Sequence, residues 1–299
     1  MQTAKLSNGI ELAYEIHGDR DHPVVFPILS ITDNITDWPP GLYAPLVEDG
    51  FCVVRHELRD SGFSTKFDDF GPADLAAAQA SLQAGTLPDS PYTLHEVAED
   101  CHLLMALGID RACIVGYSYG GAVAQLLALR APARIAGLMC LQGSNYDPSL
   151  PPRQPSVNAA MTNATRECAT TEQAIETIAA LRLAANGSIH RMDEAEARQS
   201  AETSVGRMYC PNGTGRMVLS RMATPAFADQ TSAIECPTLV LHADEDPIFS
   251  VEHGEDIARR LPNASLRVLE GVGHNHPVSL QPTIASAIRD FADETLRER

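Results

Sequence analysis

The amino-acid sequence predicts an α/β fold, in which a mostly parallel sheet carries helices on both faces. Short apolar runs alternate with helix-like segments over residues 1–143 and again over residues 233–299, as in α/β proteins. Between these ranges the alternation stops, and residues 144–232 carry several helix-like patterns after a proline-rich start. We therefore predict a two-part core of residues 1–143 and 233–299 with a helical cap of residues 144–232.

Eight segments have the composition of strands, and most are short apolar runs. Asn8-Gly9 predicts a type I′ turn between the first two, and Pro27 is unexpected within the third because proline removes a ladder donor. The predicted strands are residues 3–6, 10–16, 24–29, 52–58, 112–116, 135–141, 238–242 and 266–269.

Helix-like segments separate most of these strands. Those of the core are residues 37–48, 73–84, 94–107, 122–130, 252–261 and 282–296. Those of the cap are residues 157–168, 171–185, 192–208 and 215–221.

The charge balance disfavours several classes of partner. The chain has 22 Lys and Arg against 39 Asp and Glu, a formal net charge of −17. Nucleic acids and anionic membranes bind proteins largely through Lys and Arg, so we expect neither as a partner. No apolar run approaches the ~20 residues that span a bilayer. We expect a small-molecule ligand and a monomer or homodimer.

The seven cysteines suggest a reducing compartment rather than a disulfide framework. Several lie in strand-like runs, where free cysteine behaves as a small hydrophobe. The N-terminus lacks the basic and apolar regions of a signal peptide. We therefore expect a cytoplasmic protein. We expect no metal because no His, Asp or Glu cluster has ligand spacing, and we expect no cofactor.

A nucleophile elbow is the clearest chemical motif. Residues 116–120 read Gly-Tyr-Ser-Tyr-Gly, a G-x-S-x-G pattern directly after a strand and before a helix. In this context the serine sits on a sharp turn, with small residues relieving the crowding, and its hydroxyl projects at the helix N-terminus. The pattern predicts Ser118 as a nucleophile.

A serine nucleophile requires a base and an acid that orients the base. In this architecture they follow later strands in the order acid, then histidine. Asp246 follows the strand ending at residue 242, and Pro247 fixes a turn beside it. Asp244, Glu245 and, after the preceding strand, Asp147 are the alternatives.

His274 is the predicted base because it follows the strand ending at residue 269. Its loop contains Gly271 and Gly273, which leave it free to reach over the serine. His276 is the rival. Acyl transfer also requires donors for the oxyanion, and we expect the backbone N–H groups of Tyr119 and Ile31 to supply them.

These motifs resemble the α/β-hydrolase superfamily, whose fold is a mostly parallel eight-stranded sheet with a helical cap. Residues 56–64, which contain Arg-Asp-Ser-Gly, resemble the family's D-x-R-G-x-G-x-S segment. That variant, with residues 112–134 and 236–274, is similar to the subgroup of aclacinomycin methylesterase. The resemblance covers nearly the whole chain and implies a carboxylic ester hydrolase with a Ser-His-Asp triad.

The oxyanion loop departs from the family pattern, because Leu29 and Ser30 stand where His-Gly is usual. This leaves the second oxyanion donor and the substrate class open. The resemblance extends to serine-dependent macrolide esterases, and we predict hydrolysis of a small to medium apolar ester, with a macrolide lactone as the specific candidate. Alternatives are a methylesterase or lactonase on another polyketide, a cofactor-free perhydrolase, or a non-catalytic ligand-binding module.

The methionines of the predicted cap are relevant to the kind of substrate that we expect. Methionine can line an adaptable apolar pocket, although its usual role is core packing. The five are Met161, Met192, Met208, Met217 and Met222.

Overall fold

A computed structural model describes residues 1–297. Its strands form one eight-stranded sheet in the order β1-β2-β4-β3-β5-β6-β7-β8, in which β2 runs antiparallel to its neighbours β1 and β4 and all other neighbouring strands are parallel. The predicted fold class is therefore confirmed. The strands are β1 (Gln2–Lys5), β2 (Glu11–His17), β3 (Val24–Ile28), β4 (Cys52–His56), β5 (Ala112–Tyr117), β6 (Ile135–Leu141), β7 (Thr238–Ala243) and β8 (Ala264–Leu269).

Ten α-helices accompany the sheet in residues 1–297. None of these described helices is both long and apolar enough to cross a bilayer. The helices are α1 (Pro40–Glu48), α2 (Leu75–Gln83), α3 (Leu94–Met105), α4 (Tyr119–Arg130), α5 (Pro155–Asn163), α6 (Thr171–Ala184), α7 (Glu194–Arg207), α8 (Pro211–Ala223), α9 (Val251–Arg260) and α10 (Gln281–Leu296).

The central strands are apolar on both sides because helices cover both faces of the sheet. Ile114 of β5 faces a core built with α3, α4 and α9, whereas its neighbour Val115 faces a second core built with α1 and α10. Side chains alternate along a strand, so one apolar run serves both layers. This burial on two sides explains why the central strands lack a polar alternation.

The first hairpin forms, but the type I′ turn predicted for it is wrong. Gly9 has φ +86°, while Asn8 is absent from the described residues with positive φ. The Gly9 N–H donates to the Leu6 carbonyl, and the Leu6 N–H donates to Ile10. The loop therefore has three residues, the length at which a type I turn is followed by a glycine in the left-handed region.

Pro27 is accommodated in a central strand by the register of its neighbours. The pairing of β3 with β4 ends at Val25, whereas the pairing with β5 continues to Ile28. Pro27 thus lies beyond the ladder on one side, where its missing N–H removes no bond.

Helices α5–α8 lie between β6 and β7, within residues 144–232. Ile175 and Ile178 of α6 pack with Val205 of α7 in a small apolar cluster separate from the two cores. We call residues 144–232 the insertion. Its standing as a separate cap remains a prediction.

Several helix boundaries differ from those predicted. Helix α4 begins at Tyr119 rather than at residue 122, and α8 begins at Pro211 rather than at residue 215. Helix α1 begins at Pro40, after a 3₁₀ turn (Ile35–Asp37). The sequence did not predict the first turns of α4 and α8, because both contain glycines, which have low helix propensity.

Candidate active site

Ser118 lies in a strained turn between β5 and α4. Its backbone has φ 55° and ψ −116°, a conformation that non-glycine residues rarely adopt. The Ser118 N–H donates to the Leu141 carbonyl at the end of β6 (2.9 Å). The turn therefore holds the serine side chain at the C-terminal edge of the sheet.

The two glycines of the motif are required by close backbone contacts. A Cβ atom on Gly120 would lie 2.1 Å from the Ile28 carbonyl oxygen, and one on Gly116 would lie 2.4 Å from the Gly120 carbonyl oxygen. Real Cβ contacts are not this short, so larger residues would displace the turn. This geometry explains the G-x-S-x-G spacing.

Three side chains that the sequence places far apart meet at this turn. Nε2 of His274 lies 2.8 Å from Oγ of Ser118, and Nδ1 of His274 lies 2.6 Å from Oδ2 of Asp246. All three residues are at most 6% exposed. The arrangement has the connectivity of a nucleophile, a base and an orienting acid.

The second oxygen of Asp246 is also held in place. Its Oδ1 accepts hydrogen bonds from the backbone N–H groups of Ile248 (2.8 Å) and Phe249 (2.9 Å). A carboxylate with these donors keeps one oxygen directed at the imidazole. The turn after Pro247 supplies them.

The alternative acids have other partners. Asp244 accepts the Gly271 N–H, Glu245 accepts two hydrogen bonds from Ser188, and Asp147 forms an ion pair with Arg260. None of these contacts involves His274.

The rival histidine supports the loop that carries His274. Nε2 of His276 hydrogen bonds Oε1 of Gln142 (2.8 Å). Burial lowers the pKa of His276 to about 3, so its ring is neutral near pH 7. Its ring also packs against Tyr117, with centroids 4.3 Å apart.

Three residues that no sequence motif indicated hold this loop. The Gln142 side chain donates to the Gly273 carbonyl, and the Tyr117 hydroxyl donates to the His274 carbonyl. Asn275 donates to the Arg182 carbonyl at the end of α6 (2.8 Å). Tyr117 ends β5 and Gln142 follows β6, so both lie at the sheet edge that carries Ser118. Their position at the ends of parallel strands could have indicated a role in the site.

One predicted oxyanion donor directly follows the serine in the chain, and the other lies in the loop after β3. Tyr119 opens α4, where backbone N–H groups have no intrahelical acceptor. Ile31 follows β3 and lines the cavity that contains Ser118. Among residues 1–297, neither N–H has a protein acceptor. Both are therefore available to a ligand.

An acidic residue lies in the same loop as Ile31. Oδ2 of Asp33 accepts the Ser30 N–H (3.1 Å). Burial, and then the neighbouring Asp37, raise the pKa of the Asp33 carboxyl well above its usual range. A raised pKa favours the neutral acid, which limits negative charge on this loop.

A large cavity opens onto Ser118 and His274. It has a volume of about 1380 Å³ and is lined by the insertion as well as the core. Met161, Met192 and Met222 line it, whereas Met217 is buried in the core and Met208 lies elsewhere. In the part of the chain that the structure describes, no group of His, Cys, Asp or Glu is arranged to hold a metal ion.

The sheet, elbow and cavity define an α/β-hydrolase, and the comparison with family models agrees. A model described as the alpha/beta hydrolase fold matches residues 30–277. The chain belongs to the α/β-hydrolase fold family.

Relatives of known name are similar over most of the chain. Rhodomycin D methylesterase of Streptomyces peucetius is 26% identical over 289 residues, 89% of this chain and 90% of that protein. A 2-hydroxymuconate semialdehyde hydrolase of Pseudomonas putida is 28% identical, over 90% and 88% of the two chains. The resemblance to antibiotic methylesterases is thus confirmed.

Solved structures share the fold. An enol-lactonase from Burkholderia xenovorans has a TM-score of 0.71 at 20% identity, with 97% of this chain and 99% of that chain covered. A thermophilic esterase from Thermogutta terrifontis has a TM-score of 0.68 at 24% identity, with 99% and 100% covered.

Proposed function

We propose that the protein is a carboxylic ester hydrolase that acts through an acyl-enzyme on Ser118. The observation that carries the proposal is the 2.8 Å contact between Oγ of Ser118 and Nε2 of His274. A serine hydroxyl is a weak nucleophile until a base takes its proton. The contact supplies that base at the strained turn where the hydroxyl is accessible.

In the first half of the reaction, Oγ of Ser118 attacks the ester carbonyl carbon while His274 takes the hydroxyl proton. The carbonyl oxygen becomes an oxyanion, which the N–H groups of Tyr119 and Ile31 stabilise. His274 then gives its proton to the leaving alkoxide oxygen as the C–O bond breaks. The products are an alcohol and an ester of Ser118.

In the second half, a water attacks the acyl carbon and gives a proton to His274. His274 returns this proton to Oγ of Ser118, and the acid leaves. Asp246 holds the imidazole tautomer and stabilises the imidazolium throughout. No step in this scheme uses a cofactor.

Hydrolysis of p-nitrophenyl butyrate tests the proposal. We expect turnover by the wild type and loss of it in Ser118→Ala, with an unchanged circular dichroism spectrum showing that the variant folds. Equal activity in the two proteins would exclude Ser118 as the nucleophile. Ligand binding without turnover by the wild type would favour a non-catalytic module, and turnover that requires peroxide would favour a perhydrolase.

For the substrate, we propose a polyketide-sized ester, with a macrolide lactone as the specific candidate. The cavity of about 1380 Å³ supports this, because pockets for drug-sized ligands span roughly 300–1,000 Å³. The three methionines that line it provide adaptable apolar contacts. The test is incubation with each commercial macrolide and mass spectrometry for the addition of one water, and no conversion of any would remove this candidate.

A further inference from the structure

Most arginines that line the cavity have carboxylate partners. Arg55 pairs with Glu15 (2.7 Å), and Arg182 pairs with Asp37 (2.6 Å). Arg207 pairs with the buried Glu57. Such pairs are the expected arrangement for charges removed from water.

Arg153 and Arg221 are the exceptions on the cavity wall. Within residues 1–297, neither forms an ion pair with a carboxylate. Arg153 donates only to the amide oxygen of Asn158 (2.5 Å). The nearest acidic residue in sequence, Asp147, is already paired with Arg260 (2.5 Å). Two guanidinium groups therefore remain uncompensated in a chain with net charge −17.

The two arginines come from separate parts of the insertion and line the same cavity. Arg153 precedes α5, and Arg221 lies in the last turn of α8. Burial, and then the charge of Arg221, lower the pKa of Arg153. Arg153 nevertheless keeps an exposed face, and Arg221 is half-buried. Two like charges on one cavity wall repel, and an anion bound by both would relieve the repulsion.

A series of aromatic contacts connects Arg221 to the reaction centre. The Arg221 guanidinium carbon lies 4.9 Å from the Tyr146 ring centroid. Tyr146 packs edge-on against Phe249 (5.6 Å), and Phe249 packs edge-on against His274 (5.7 Å). Arg221 thus shares a cavity wall with His274 but is separated from it by two rings.

We propose that Arg153 and Arg221 form a subsite that binds an anionic group, most directly a carboxylate, on the ester substrate. The inference rests on the proposed ester hydrolase function, and it favours an anionic ester over the macrolide lactone, which carries no carboxylate. The substrate has two ends: an ester carbonyl at Ser118 and an ionised acid several bonds away at the arginines. Guanidinium groups match carboxylates geometrically, and the aromatic wall suits an apolar linker between the two ends.

The test compares monomethyl esters of straight-chain dicarboxylic acids with methyl esters of monocarboxylic acids of the same length. Methanol release gives kcat/KM for each. In the wild type, we expect the ratio of anionic to neutral kcat/KM to exceed one at a preferred chain length. In Arg153→Gln/Arg221→Gln we expect that ratio to fall by about 10- to 100-fold, the range for charge-assisted hydrogen bonds.

Two control variants separate charge from shape. Arg191→Gln removes an exposed arginine of the insertion that does not line the cavity, and it should keep the wild-type ratio. Arg153→Lys/Arg221→Lys retains both charges and should keep part of the preference. A fall of the same size with Arg191→Gln would assign the effect to overall charge and overturn the inference.

A binding measurement keeps this inference separable from the ester hydrolase proposal. Calorimetry of the free dicarboxylate with Ser118→Ala needs no turnover. We expect binding that weakens at high salt and is lost with both arginines changed to glutamine. Absence of ester hydrolysis with binding intact would reject the activity and keep the subsite. A preference of the wild type for neutral esters at every length, or dicarboxylate binding that does not need the arginines, would reject the subsite.

Discussion

At the scale of single residues, the site depends on which hydrogen bonds the imidazole of His274 makes. Its Nδ1 contacts Asp246 and its Nε2 contacts Ser118, so only one tautomer can accept the serine proton. An amide at position 246 could donate to Nδ1 and so stabilise the other tautomer. The orienting acid should therefore matter almost as much as the base.

We predict that Asp246→Asn lowers kcat by about 10⁴-fold, the effect of removing the triad acid in serine proteases. Steady-state kinetics with p-nitrophenyl butyrate measures the change. Asp244→Asn is the matched control, because Asp244 holds only the Gly271 N–H, and its kcat should fall by less than about tenfold. The reverse order of the two effects would transfer the role to Asp244.

The elbow and the order of acid and base could be predicted from the sequence because each follows a strand of recognisable composition. The residues that hold the His274 loop could not be predicted. Gln142, Tyr117 and Asn275 act through contacts whose partners lie more than 85 residues away, and no local pattern records such partners.

At the scale of elements, the Arg-Asp-Ser-Gly turn connects the core to the insertion. Arg59 forms two hydrogen bonds with Asp100 of α3 (2.6 and 2.7 Å). Asp60 forms two with Arg216 of α8 (2.9 and 2.7 Å). Both pairs are buried. The aspartate in this turn thus has a structural partner in the insertion.

We predict that Asp60→Asn destabilises the protein by roughly 3 kcal/mol, because removing one partner leaves the buried Arg216 charge poorly compensated. Urea unfolding measures this loss. Asp68→Asn is the control: Asp68 also contacts Arg216, but its side chain is 76% exposed, and such pairs contribute at most ~1 kcal/mol. Equal losses in the two variants would contradict this account.

Element boundaries were the part of the fold that sequence patterns predicted least well. The elbow imposes helical geometry on Gly120 and Gly121, so α4 begins three residues earlier than propensity indicates. The hairpin turn differed for a related reason, since loop length rather than the Asn-Gly pair selected its type.

At the scale of the whole molecule, buried histidines make the fold sensitive to acid. Burial lowers the pKa of His56 to about 3, from an ordinary value near 6.5. Between these values the unfolded chain binds a proton that the folded chain does not, so stability falls as pH decreases. Burial lowers the pKa of His276 in the same direction, so His276 also reduces stability as the pH decreases.

We predict that unfolding free energy decreases between pH 7 and pH 5, and that His56→Phe removes about 2 kcal/mol of this decrease, at ~1.4 kcal/mol per pH unit. Urea unfolding at both pH values measures the difference. Phenylalanine suits the site because His56 packs on Phe26, with centroids 4.6 Å apart. An unchanged pH dependence in the variant would show that His56 is not the group responsible.

The overall architecture was the most predictable property, because strand and helix periodicities report it directly. The large cavity could not be predicted, since it arises where the insertion meets the core. The charge pairing around it likewise depends on contacts between distant segments.

The central claim is that Ser118 becomes acylated with His274 as its base. Rapid acid quench during turnover of p-nitrophenyl butyrate, followed by mass spectrometry of the digested protein, tests it most directly. We predict one butyryl group on the peptide that contains Ser118, and none in Ser118→Ala or His274→Ala. A butyryl group on another residue, or unimpaired hydrolysis by His274→Ala, would contradict the account.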